Sequence, residues 1–156
     1  MTRSRAGDGA LAGIGGGLAF GLMMQLMTAP APGGHQMPMM AMVAMVVRSD
    51  SLVVGWFYHL VNSVVIGALF GLLVGSRVHS TATALGWGAT WGVLWWVLGA
   101  LILMPILLGM KPFAALQMPP MRPVAMGSLV GHLLYGMILG WLFARLRSSA
   151  PVLAGT

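Results

Sequence analysis

Two histidines, His59 and His132, are the residues whose type and position point most directly to chemistry. Each lies about eight residues inside a long apolar segment, which in a helix corresponds to a depth of about 12 Å. Small and polar residues share each helical face, with Ser63 near His59 and Ser128 near His132. We therefore expect both imidazoles to point into a helical bundle. An ionisable residue inside a membrane is by default a functional candidate.

Three interpretations of this histidine pair stay open. In the first, the two residues only pack, and each hydrogen-bonds to Ser, Asn or Tyr on a neighbouring helix. In the second, the pair binds a transition metal. In the third, His59 and His132 are the axial ligands of one b-type haem, because helical bundles often hold cofactors between facing helices and histidine pairs suit haem iron.

Fifteen methionines in a chain without cysteine are the second chemical signal. Thioethers are soft ligands that select Cu(I), so methionine combined with histidine is a copper-like ligand set. Methionine is also an ordinary filler of apolar cores, and that interpretation stays open as well. The candidate metal ligands are His59, His132, Met37, Met40, Met45, Met118, Met121 and Met126.

The composition indicates that these residues belong to a membrane protein. Only 6% of the residues are charged, against roughly 25% in a soluble domain, so most of the surface must face lipid. A further apolar stretch, 35–47, is too short to cross the bilayer. It follows Pro30, Pro32 and Gly33, which should end the first helix, and we expect it to be interfacial or re-entrant. The segments long enough to cross a bilayer are 9–29, 51–75, 82–108 and 124–144.

The sequence contains an internal repeat. Segments 36–45 and 117–126 are identical at seven of ten positions, and His59 and His132 fall at equivalent positions of the two copies. The repeat predicts an all-α, four-helix transmembrane bundle built from two parallel two-span units, roughly 9–75 and 82–148, each with a short outer Met-Pro segment. Both units belong to a single membrane domain, 1–156.

Glycine recurs at steps of four in several predicted spans, as at Gly9, Gly13 and Gly17. Small residues let helix backbones approach closely in lipid. Such ridges are expected to pack within one bundle, and some of them could also serve a homo-oligomer.

The second half of the chain carries a resemblance. Pro105, followed by Gly131-His132-Leu133-Leu134-Tyr135-Gly136, resembles a family of small four-span prokaryotic membrane proteins with no assigned function. The resemblance implies a four-span topology and supplies no reaction.

Several classes of function are disfavoured by what the spans lack. They hold no Asp, Glu, Lys or Arg before their terminal turns, which a proton- or sodium-coupled carrier generally needs. The sequence has no acidic pair, Ser-His-Asp set or phosphate loop, which disfavours a hydrolase. Basic residues scattered at span ends are typical of membrane anchoring, not of nucleic-acid binding. We therefore expect a protein that binds or transports copper, a haem-binding redox subunit, or a ligand-free accessory protein.

Basic residues also predict the orientation, with both termini in the cytoplasm and the chain in the inner (plasma) membrane. Reporter fusions at positions 7 and 149 should both give a cytoplasmic signal, and a periplasmic signal at either position would overturn this orientation. The inside would carry Arg3, Arg5, Arg77, Arg145 and Arg147, and the outside Arg48, Lys111 and Arg122.

Overall fold

The four predicted spans are four long helices in a computed structural model, which describes residues 4–31 and 34–148. Each is long and apolar enough to cross a membrane, so the predicted all-α, four-helix transmembrane fold is confirmed. Arg3, Pro32, Gly33 and position 149, which entered the predictions above, lie outside the described residues. The candidate spans are Arg5–Leu26, Leu52–Leu73, Thr81–Leu107 and Pro119–Ser148.

The third and fourth spans are each built from more than one helical piece. A π-helical stretch, Trp96–Leu103, continues the third span, and a 3₁₀ turn, Pro119–Met121, begins the fourth. In chain order the helices and strands are α1 (Arg5–Leu26), β1 (Thr28–Pro30), β2 (Gln36–Pro38), α2 (Met39–Val46), α3 (Leu52–Leu73), α4 (Thr81–Trp95), α5 (Met104–Leu107), α6 (Ala114–Gln117) and α7 (Arg122–Ser148).

The chain runs up and down, so the bundle has two distinct ends. We call the end that carries α2 and α6 the loop end, and the end that carries the start of α1 and the end of α7 the terminal end. α1 begins earlier than the predicted residue 9 because the Ser4 hydroxyl accepts the Gly7 N–H (3.1 Å) and caps the helix. At the terminal end, Arg147 of α7 pairs with the buried Asp8 of α1, with Nη1 and Oδ2 3.2 Å apart.

Glycine sets the closest contacts between helices. α1 packs on α3, α4 packs on α7, and α1 and α7 join the two pairs. A side chain at Gly13 would collide with the carbonyl oxygen of Ser63, and one at Gly88 would collide with that of Gly136. The backbones are therefore in direct contact, as expected where small residues form the interface in lipid.

These contacts fall at positions that the predicted repeat treats as equivalent, since Gly13 corresponds to Gly88 and Ser63 to Gly136. The repeat of units 9–75 and 82–148 stays a prediction, and this correspondence is consistent with it. The same contacts lie within one chain. A homo-oligomer through the glycine ridges also stays a prediction.

The two similar Met-Pro segments adopt different structures at the loop end. In the first copy, β1 and β2 form a small antiparallel hairpin, and α2 then folds back on the start of α3, where Gly55 faces the Met40 carbonyl oxygen. Arg48, in the left-handed region (φ 58°), separates α2 from α3. In the second copy, the 3₁₀ turn leads directly into α7. The hairpin and this divergence were not predicted.

Pro105 shapes the loop end of the third span. Proline has no N–H, so it cannot bond to the carbonyl oxygen of Leu101 four residues earlier. That oxygen accepts the N–H of Phe113 instead (2.6 Å). Phe113 has a left-handed backbone conformation (φ 63°), which turns the chain back towards the span. The π-helical stretch lies immediately before this point.

Gly86 and Gly88 provide a matched pair on α4. A Cβ at Gly86 would meet open space, whereas one at Gly88 would strike the Gly136 backbone. Gly88→Ala should lower the free energy of unfolding by about 1–3 kcal/mol, the usual cost of overpacking. Gly86→Ala should leave it unchanged or raise it by up to about 1 kcal/mol. Unfolding in mixed detergent micelles measures both, and equal effects would contradict the proposed backbone contact.

Candidate functional site

A cavity of about 290 Å³ lies in the loop-end half of the bundle. α3 forms one wall, and the third span with its π-helical stretch forms the other. α2 covers the cavity, and α1 and α7 form its back. The two predicted site histidines therefore line the same space. The polar lining includes His59, Ser63, Ser128, His132 and Tyr135.

His59 is buried and makes its hydrogen bond to α1. Its Nε2 lies 2.8 Å from the carbonyl oxygen of Gly17. A carbonyl only accepts, so Nε2 carries the proton and donates it. α3 presents His59 on the face that also carries Gly55, Ser63 and Gly67, and this face packs on α1. In a neutral imidazole Nδ1 then keeps the lone pair, while Nε2 is held by Gly17.

His132 has the opposite arrangement. Its Nδ1 lies 2.7 Å from the carbonyl oxygen of Ser128, one turn earlier on α7, and 3.3 Å from the Ser128 hydroxyl. Nδ1 therefore donates to the backbone, and in a neutral imidazole Nε2 keeps its lone pair. Among the described residues, Nε2 has no hydrogen-bond partner. This is the arrangement that orients a histidine to bind a metal through Nε2.

Phe20 of α1 contacts both histidines. Its ring centroid lies 5.6 Å from that of His59 and 4.8 Å from that of His132, both edge to face. The phenyl ring is 5% exposed and is held against Gly131, where any side chain would collide with it. Both imidazoles are thus in contact with one aromatic side chain.

A second polar link crosses the back of the cavity. The Tyr135 hydroxyl of α7 donates to the Ser63 carbonyl oxygen of α3 (2.8 Å). The Ser63 hydroxyl donates to the His59 carbonyl oxygen one turn earlier (2.8 Å). Tyr135 therefore joins α3 to α7, although the closest packing of each is with α1 or α4.

Methionines line much of the remaining surface. They come from α1, α2, the loop end of the third span with the residues that follow it, and the 3₁₀ turn before α7. The residues are Met24, Met39, Met42, Met104, Met110 and Met121.

The predicted metal ligands separate into two groups. The cavity brings together His59, His132 and Met121. The other five are elsewhere: Met40 is buried under the start of α3, Met37 and Met45 are half-buried outside the lining, and Met118 and Met126 are 46% and 51% exposed.

Sequence reasoning missed five methionines of the lining, and one of its assumptions explains why. The predicted methionine ligands all lie in the two Met-Pro segments, and they would meet in one site only if both segments folded alike. In the first copy, Met39 and Met42 lie on the separate helix α2 and line the cavity. The equivalent positions of the second copy, Pro120 and Pro123, lie in the 3₁₀ turn and at the start of α7. The three-residue spacing of Met39 and Met42, which places both on one helical face, was the usable signal.

The Tyr135 link can be tested against the second tyrosine of the chain. Tyr135→Phe should lower the free energy of unfolding by about 0.6–1.7 kcal/mol, the range for hydrogen bonds between membrane helices. Tyr58→Phe is the control, because Tyr58 also lines the cavity but its hydroxyl bonds to no described residue. Unfolding in mixed micelles gives both values. A Tyr58 effect as large as that of Tyr135 would refute the link.

No protein-family model matches the chain, and searches of curated proteins and of solved structures find no match either. The resemblance to small four-span prokaryotic membrane proteins stays a prediction, while the four spans themselves make this a small multi-pass membrane protein. Within residues 4–31 and 34–148, no group of three His, Cys, Asp or Glu could hold a metal.

Proposed function

We propose that this protein binds a soft metal ion, Cu(I) above others, in the loop-end cavity. The observation that carries the proposal is the shared lining: six methionines and both histidines surround one space in the bundle. Thioether sulfur and imidazole nitrogen form a neutral, soft ligand set. Hard cations such as Mg²⁺ and Ca²⁺ prefer oxygen ligands, which the lining offers only as Ser, Asn and Tyr groups and backbone carbonyls.

Charge also favours a monovalent ion. None of the described residues that line the cavity is a carboxylate, so the charge of a bound ion would be uncompensated in a region of low dielectric constant. The cost of burying an ion rises steeply with its charge, and a single charge is therefore easier to accommodate than two. Cu(I) combines that single charge with a preference for thioethers.

His132 supplies the best nitrogen ligand. Its Nδ1–H is fixed by the Ser128 carbonyl, which orients the ring and raises the basicity of Nε2. His59 donates its Nε2–H to Gly17, so it offers only Nδ1 unless that hydrogen bond is released. We therefore assign His132 and Met121 as ligands, with further thioethers from α1 and α2. The participation of His59 stays a prediction.

The b-type haem alternative has less support. Two axial histidines must direct their nitrogens at one iron from opposite sides of a porphyrin. Here His59 Nε2 is bonded to Gly17, and the Phe20 ring touches both imidazoles. Haem binding would need Phe20 to move and His59 to rotate. A Soret band in the purified protein would nevertheless revive this alternative.

The metal proposal is tested by titrating the metal-free protein with Cu(I), without oxygen, in competition with bathocuproine disulfonate. We expect one tightly bound ion in the parent protein. His132→Gln and Met121→Leu should each weaken binding at least about tenfold, because loss of a direct ligand should cost no less than loss of a supporting group.

Two matched variants serve as controls for the titration. Met126→Leu and His79→Gln change the same residue types at exposed positions outside the cavity, and both should bind Cu(I) as the parent does. No copper bound by the parent would refute the proposal, and so would equal losses in control and cavity variants. If His59→Gln and His132→Gln then gave only mild, additive destabilisation, the ligand-free accessory role would be favoured.

A further inference from the structure

Three soft ligands alternate along the strand that leads to the cavity. His35, Met37 and Met39 lie two residues apart, on and beside β2. The hairpin pairing continues to His35, whose carbonyl oxygen accepts the Ala31 N–H (2.8 Å), and Pro38 is extended (ψ 140°). In an extended chain, side chains two residues apart lie on one face and about 7 Å from each other. The three side chains therefore follow one another along one face of the hairpin.

Burial increases along this series from the surface to the cavity. His35 is exposed, Met37 is half-buried, and Met39 is 6% exposed. Met37 packs against the buried cluster that includes Met39, and Met39 lines the cavity. The hairpin also contacts the 3₁₀ turn that carries Met121, one of the ligands assigned above. A soft metal ion therefore meets imidazole and thioether ligands in succession from the surface inwards.

The cavity also opens sideways, towards lipid, but that side does not admit an ion. Val65 of α3 and Leu103 and Leu107 of the third span line the cavity, yet they are 49–55% exposed. These exposed faces belong to membrane-spanning helices and lie against hydrocarbon. Transfer of an unpaired ion into an apolar medium is prohibitively costly. Metal exchange through this opening is therefore excluded.

The bundle is closed between the cavity and the terminal end. The Trp91 indole N–H donates to the Ile66 carbonyl oxygen (3.3 Å), which joins the third span to α3. Phe70 packs edge to face on Trp91 and on Phe143, and both phenylalanines are at most 1% exposed. In the part of the chain that the structure describes, the terminal half holds one methionine, Met137, which is 38% exposed on the outer surface. No series of thioethers comparable to that of the loop end continues there within the described residues.

We propose that His35 and Met37 form a relay site through which Cu(I) enters and leaves the cavity at the loop end. The ion stays Cu(I) throughout, and each step replaces one neutral ligand by the next, from the His35 imidazole to the thioethers of Met37 and Met39. The flexible methionine side chains suit such an exchange. This inference rests on the proposed copper site. Exchange at one end makes the protein a copper reservoir for carriers on that side of the membrane, and not a channel.

The relay site is tested by the kinetics of copper transfer between the full chain in mild detergent and bathocuproine disulfonate, without oxygen. This chelator is bulky and strongly anionic, so it gives and takes Cu(I) at the protein surface and not inside the apolar cavity. Stopped-flow absorbance of its coloured Cu(I) complex measures the rates of uptake and release. Competition at equilibrium measures the Kd of the cavity site.

His35→Gln combined with Met37→Leu should slow uptake and release by about tenfold each, the smaller end of the effects seen when a group supporting a metal site is lost. The Kd should stay unchanged, because a relay lowers the barrier and does not alter the end states. His35→Gln alone changes only an exposed side chain and should also slow both rates. His79→Gln combined with Met137→Leu is the matched control at exposed positions of the terminal half, and it should exchange copper as the parent does.

The outcomes separate the relay from the copper site itself. If the parent binds copper and the relay variants exchange it at the parent rates, the relay is refuted and the copper site stands. A weaker Kd in the relay variants would also refute the relay, because His35 and Met37 would then be ligands of the bound state. Slowing of the same size in the control variant would refute it as well. A parent protein that binds no copper would overturn both proposals together.

Discussion

In the hydrocarbon of a bilayer, helices gain little from the hydrophobic effect, and close contact must hold them together. This chain meets that requirement at glycine, where the backbones of α1 and α3, and of α4 and α7, touch directly. Two tight pairs then pack through α1 and α7. The packing order is therefore α3, α1, α7 and the third span. The first and last of these are in contact near the terminal end, through Trp91, and apart near the loop end. The cavity is a consequence of that order of packing.

The loop end shows how backbone polar groups are satisfied where helices are interrupted. Pro105 frees the Leu101 carbonyl, and Phe113 returns to bond it. After α1 ends, a two-stranded hairpin pairs the chain with itself before α2 begins. Unpaired backbone groups are not tolerated in lipid, so each break needs such a local solution. These solutions bring α2 and the turn before α7 over the cavity, and with them several methionines.

The two histidines illustrate how equivalent sequence positions acquire different chemistry. Both histidines lie on the small-residue face of a span, His59 on the second span and His132 on the fourth. His59 meets the Gly17 backbone, because Gly17 has no side chain and leaves its carbonyl within reach of Nε2. His132 instead turns back to Ser128 on its own helix, and its Nε2 is left for a ligand. The difference depends on which backbone atoms lie within about 3 Å of each ring, and that distance is not encoded in spacing along the chain.

Membrane insertion, the four spans and the inward-facing histidines were determined by the sequence alone, because span length, hydropathy and glycine spacing depend only on local composition. The site needed the tertiary structure. Met37 and Met126 are prominent in the repeat but lie outside the cavity, while Met24 and Met104, from different spans, line it. The sequence likewise does not show that Trp91 and Trp96 find hydrogen-bond acceptors while the Trp95 Nε1 has none among the described residues. Such outcomes depend on helix rotation and on where each helix breaks. Both are decided by packing between segments far apart in the chain.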